Sequence, residues 1–128
     1  MKSVLMNAAL VGSGGFIGAV CRFGVYGFIQ RNPSLASFPY GTLLVNLLGC
    51  FLIGLAIGLI ETRQLASPEI RSFVIIGVLG GFTTYSAFGF ETFALLRDEE
   101  ILKAISNVLI HIIAGLVLVW IGYALTSR

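Results

Sequence analysis

Four apolar stretches, Val4 to Ile29, Tyr40 to Ile60, Ser72 to Leu96 and Ile101 to Leu125, each reach or exceed the roughly 20 residues that cross a bilayer. Arg22 alone interrupts the first. That stretch runs well past the apolar core of a cleavable signal peptide, and Gly18-Ala19-Val20 before Cys21 is a poor lipoprotein cleavage site, so it reads as a retained helix. The connections are polar: Gln30-Arg31-Asn32-Pro33 with Pro39, Glu61 to Arg71 around Pro68, and Arg97-Asp98-Glu99-Glu100. The expectation is one all-α transmembrane domain over residues 1–128, with both termini on the same side of the membrane.

Only 11% of the residues are charged, against about 25% in soluble domains, so the chain lacks the polar groups to coat a soluble globule. The 16 glycines are spread through the apolar runs, as in membrane helices whose backbones approach closely. A net charge of +2 from scattered basic residues excludes a nucleic-acid footprint. Cys21 and Cys50 stand singly and read as small hydrophobes. No paired carboxylates, metal-ligand cluster, nucleophile-base set or nucleotide motif argues for an enzyme or for an energy source.

Lys and Arg near span ends are retained in the cytoplasm and so orient membrane proteins. Lys2, Arg63, Arg71 and Arg128 fall on one side; Arg31, Arg97 and Lys103 fall on the other, with Arg22 close to it. That balance predicts insertion in both orientations and allows an antiparallel dimer, the alternative being a single orientation set by a small bias. Four helices of this length bury one another only partly, so a partner is expected. Gly14 with Gly18, and Gly54 with Gly58, are small-xxx-small pairs suited either to seams within the subunit or to a dimer seam.

The third stretch carries the chemistry. Gly80-Gly81-Phe82-Thr83-Thr84-Tyr85-Ser86-Ala87-Phe88 sits mid-span, where paired glycines and β-branched threonines make poor helix interior, and a helix break is expected there. Carbonyls freed at that depth are tolerated when buried or coordinating, which makes the break a candidate cation site; a glycine contact between helices is the alternative. Tyr85 and Phe88 share a helix face, and their electropositive ring edges suit a dehydrated anion, though such a pair also serves plain packing. Asn46 offers amide donors or a helix-to-helix bond. Arg22 is either an interfacial anchor or an attractor of anions. Glu91 and His111 lie on an expected helix hairpin, within reach of one another or of another subunit, and Glu and His in spans also serve proton-coupled transporters.

Three motifs in order, Gly14-Gly15-Phe-Ile-Gly18-Ala19-Val-Cys-Arg22, Gly41-Thr42-Leu-Leu-Val-Asn46 and Gly80-Gly81-Phe-Thr83-Thr84-Tyr85-Ser86-Ala87-Phe88 with Glu91, resemble the Fluc, or CrcB-type, fluoride channels of microbial membranes. The resemblance implies a multi-pass protein of the prokaryotic inner membrane. It would be an antiparallel dual-topology homodimer with a mid-span break in its third helix, two fluoride pathways and a structural sodium ion at the dimer centre. By that likeness the Gly80 and Thr83 carbonyls hold sodium, and Tyr85 and Phe88 line the pathways. Asn46 donates to the anion; Thr84, Ser86 and Glu91 belong to its polar track, and Arg22 lies near a vestibule. Such a pore passively expels fluoride trapped in the cytoplasm and lowers its toxicity. Tyr85 stands where phenylalanine is customary and Ala87 where a hydroxyl is usual. Gly115 and Val119 occupy a face where relatives often carry hydroxyls, which thins the polar track. The rivals are a small multidrug-type proton-coupled exporter, whose class relies on a first-span carboxylate where this chain offers Arg22, and a scaffold subunit.

Overall fold

The structure, a computed structural model, describes residues 2–35, 37–63 and 67–127; Arg128 of the charge tally lies outside them. Within those residues the chain is all helical. Four spans are long and apolar enough to cross a membrane: Ser3–Gln30, Tyr40–Thr62, Pro68–Arg97 and Ile101–Thr126. Helix α1 is Lys2–Gln30 and α2 is Tyr40–Thr62. The third span consists of α3 (68–82), whose middle Arg71–Leu79 is wound as a wider π-helix, and α4 (Tyr85–Arg97). Helix α5 is Ile101–Thr126.

The third span begins four residues before the apolar run because Ser67 caps it. The Ile70 N–H donates to Ser67 Oγ at 3.2 Å, with Pro68 and Glu69 in the first turn, where a missing N–H and a negative charge both suit a helix start. Helix α4 stops where Glu99 turns left-handed at φ 60°; Glu100 N–H bonds the Leu95 carbonyl at 2.8 Å and Glu99 N–H the Leu96 carbonyl at 3.2 Å. This pair of bonds is a Schellman closure, and it folds α5 back at once.

Helix α1 runs parallel to the third span, and α2 runs parallel to α5. A Cβ on Gly14 would strike the Phe73 carbonyl and lie 3.0 Å from Gly77 Cα; on Gly18 it would strike the Val78 carbonyl and lie 2.7 Å from Phe82 N. In the second seam a Cβ on Gly54 would strike the Val119 carbonyl, and one on Gly58 would strike Thr126 Oγ1. Both small-xxx-small pairs therefore serve seams inside the subunit. The fully buried side chains are few, led by Val45, Thr42 and Asn107, while Phe16, Phe23, Leu116 and Trp120 remain 68–79% exposed. An apolar exterior around a small, partly polar interior is the arrangement that lipid as solvent requires, and the chain is a multi-pass membrane protein.

Candidate ion pathway

Between Phe82 and Tyr85 the backbone is extended, with Thr83 at φ −82°, ψ 160° and Thr84 at φ −151°, ψ 115°. Gly80 and Gly81, expected to weaken the helix, stay helical. A Cβ on Gly81 would lie 2.9 Å from Gly15 Cα, so this glycine admits α1. The change of conformation falls instead on the threonines, whose side chains compete for backbone groups.

In an unbroken α-helix the Thr84 N–H would bond the Gly80 carbonyl and the Ala87 N–H the Thr83 carbonyl. Here Thr84 N–H donates to Asn46 Oδ1 at 2.9 Å, and Ala87 N–H donates to Thr84 Oγ1 at 3.3 Å. Gly80 and Thr83 are thus two of the carbonyls at the break whose helical donors bond elsewhere. Arg22, turned inward, donates from Nη1 to the Thr83 carbonyl at 3.3 Å. Gly80 and Thr83 both line a groove of about 330 Å³, together with Asn46, Thr84 and the 85% exposed Tyr85.

Asn46 completes a two-point clamp by donating from Nδ2 to the Thr84 carbonyl at 3.1 Å. A backbone N–H only donates and a carbonyl only accepts, so the clamp settles which way the amide points. Its Nδ2 also lies 3.3 Å from His111 Nε2, and His111 Nδ1 lies 2.9 Å from the Asn107 carbonyl. The imidazole packs on Phe88 with centroids 4.5 Å apart, and Phe88 on Tyr85 at 5.7 Å. Ser86 Oγ lies 3.4 Å from Thr84 Oγ1.

Glu91 has a separate anchor. Thr42 Oγ1 donates to Glu91 Oε1 at 2.6 Å, which commits the only hydroxyl hydrogen of Thr42, so the adjoining Tyr26 hydroxyl donates to Thr42. Glu91 Oε2 is buried with no protein partner among the described residues. The carboxylate stands between a cavity of about 590 Å³, lined by Arg22, Gln30, Thr84 and Ala87, and one of about 240 Å³ reached by Tyr26 and Tyr40.

The fold thus gathers Asn46, Thr84, Tyr85, Ser86 and Phe88 into one neighbourhood, with Thr83 and Arg22 beside them. Glu91 and His111 are bonded to different partners within the subunit. Four participants carried no role in the sequence reading: Tyr26, Thr42, Thr92 and Asn107, which is fully buried and donates to Thr92 Oγ1 at 2.8 Å. Tyr26 is one turn from Arg22 and Asn107 one turn from His111, a same-face spacing that was available as a signal.

A small helical membrane protein with an interrupted third span, anchored side chain to backbone beside an open groove, defines the class. The chain belongs to the CrcB-like family: residues 9–123 match the family described as CrcB-like protein, Camphor Resistance. It is 46% identical over 118 residues, 92% of each chain, to the fluoride-specific ion channel FluC of Citrifermentans bemidjiense. It is 41% identical over 123 residues, 96% of each chain, to that of Methylobacillus flagellatus. With the Hydrogenovibrio crunogenus protein of the same name it shares 46% identity over 122 residues, covering 92% of this chain and 89% of that one.

Proposed function

We propose that this protein is a fluoride-specific ion channel, not an enzyme, that lets cytoplasmic fluoride leave passively through the prokaryotic inner membrane. The names of its relatives support that reading over a proton-coupled exporter. The observation that carries it is the Asn46 clamp on Thr84, which sets an amide, aromatic ring edges and hydroxyls side by side at the interruption.

Conduction needs donors strong enough to replace water but no fixed cation that would trap the ion. Asn46 and the edges of Phe88 and Tyr85 meet that requirement, while Thr84 and Ser86 add hydroxyls. Arg22 raises the anion concentration in the cavity beside Glu91. Tyr26 and Thr42 hold the Glu91 carboxylate in one rotamer at the margin of the lane.

The balanced basic residues and the open groove favour an antiparallel homodimer with two pathways. The redirected donors at Thr84 and Ala87 suit the Gly80 and Thr83 carbonyls to sodium, since two copies supply neutral oxygens of the kind hard cations prefer. When bound, sodium would supply positive charge between the subunits, held by the Gly80 and Thr83 carbonyls.

Proteoliposomes read by a fluoride electrode test the function. Rapid fluoride efflux with chloride retained is the expected result, and proton-coupled cation exchange or silence contradicts it. Orientation is read by crosslinking: an antiparallel dimer joins a cysteine at one end of the third span to one at the other end in its partner.

A further inference from the structure

His111 stands on a face of α5 that continues through Gly115 and Val119, and nothing in the lane described so far requires an imidazole there. Its protonation pattern can be settled from its neighbours. The Asn107 carbonyl can only accept, so Nδ1, 2.9 Å away, carries the hydrogen of the neutral ring. Nε2 then presents a lone pair to Asn46 Nδ2 at 3.3 Å.

Asn46 has two amide hydrogens, and both therefore have acceptors inside the subunit: the Thr84 carbonyl at 3.1 Å and His111 Nε2 at 3.3 Å. An anion that is to be bound by this amide must replace one of them. The Thr84 contact is half of a two-point clamp whose other half satisfies the Thr84 N–H, whereas the imidazole contact is single and at the long end of the range. The imidazole is the acceptor that yields.

From this geometry, and resting on the channel reading above, we infer that His111 is a specificity-determining residue: its Nε2 lone pair competes with the permeating anion for Asn46. Only an anion that accepts a hydrogen bond more strongly than imidazole takes the amide hydrogen. Fluoride, small and with concentrated charge, does so; chloride, larger and a weaker acceptor, leaves the amide with the ring. The competition takes place against Phe88, on which the ring packs.

Protonation removes the Nε2 lone pair, so acid abolishes the competitor without a mutation. The other ionisable groups on the helices packed against the ring are engaged or lie elsewhere. On α4, Glu91 is bonded to Thr42 and Tyr85 stacks on Phe88. On α2, Glu61 accepts from Tyr123 and Cys50 lines the groove. Arg22 of α1 is held at Thr83.

The test measures chloride leak and fluoride efflux from proteoliposomes of the full chain, with His111→Phe, which keeps a ring and lacks the acceptor, and His111→Gln, whose amide oxygen is a non-titrating acceptor. The expected result is a rise in chloride leak through His111→Phe of about tenfold, the worth of one hydrogen bond of roughly 1.4 kcal/mol. His111→Gln keeps chloride out at every pH. Wild-type leak rises on acidification once the ring takes up a proton, and that of the two variants does not. A His111→Phe channel that conducts fluoride and still excludes chloride overturns the inference, as does a His111→Gln channel that leaks chloride as His111→Phe does. If His111→Phe yields no folded protein, His111→Leu, which likewise lacks an acceptor, takes its place beside His111→Gln. Absence of fluoride efflux from wild type at neutral pH instead strikes the channel reading itself, which separates the two failures.

Discussion

The subunit contains two parallel helix pairs built on the same device, and they diverge at one point. Where α2 meets α5, Gly54 and Gly58 bring backbones together and both helices run through. Where α1 meets the third span, Gly14 and Gly18 do likewise, yet one helix gives way a few residues on, at Thr83 and Thr84. Close glycine packing is common to both seams and so does not cause the interruption. What the second place has in addition is a polar side chain from a third helix, Asn46, which accepts the Thr84 N–H that an unbroken helix would bond to Gly80 and also donates to the Thr84 carbonyl. In lipid, a backbone can leave its helix only where such a replacement exists.

The sharpest way to break that contrast is Asn46→Leu. It strands the Thr84 N–H at about 1–3 kcal/mol and removes a second donor from the Thr84 carbonyl, so fluoride efflux should vanish and folded yield should drop, while Cys50→Ala on the same helix, outside the clamp, should do little. Efflux and size-exclusion profiles of the two variants together give the comparison.

Next in size, Thr42→Val removes the buried donor to Glu91 and the acceptor for Tyr26. A loss of about 1–3 kcal/mol is expected, with slower efflux, and thermal unfolding in detergent measures it.

The seams themselves are tested by alanine. Gly18→Ala and Gly54→Ala each drive a methyl into facing backbone, at about 1–3 kcal/mol by overpacking, whereas Gly24→Ala, which meets nothing within 4 Å, should be neutral or stabilising by roughly 0.5–1 kcal/mol. If the contrast between seams is right, Gly18→Ala also depresses efflux, because it displaces the helix that delivers Arg22, and Gly54→Ala leaves the surviving folded protein near its normal rate.

The smallest effect belongs to the turn away from both seams. Glu99→Gly relieves a left-handed residue and should raise the melting temperature in line with about 0.5–1 kcal/mol, without change in flux.

The four spans were legible because apolar length is a property of each segment alone. Their ends differ from the expectation chiefly at Pro68, where the Ser67 cap extends the helix past the apolar run. A weak point near Gly80 to Thr84 was legible as poor helix interior, but its placement was not. Packing against Gly15 keeps Gly81 helical, and only the fold brings Asn46 opposite Thr84. The Tyr26, Thr42 and Glu91 chain joins residues from three helices, and its partners share no local spacing, so no periodicity exposes it. For the π-wound stretch Arg71–Leu79 the sequence carries no proline or other local mark, and its register with α1 emerges only in the packed pair.

Solid-state NMR of the protein in lipid, read at the Cα and Cβ shifts of Thr83 and Thr84, addresses the interruption and its cause together. Extended shifts at both residues in the wild type, moving toward helical values in Asn46→Leu, are the expected outcome. Helical shifts in a wild-type sample that conducts fluoride, or extended shifts indifferent to the loss of Asn46, would contradict it.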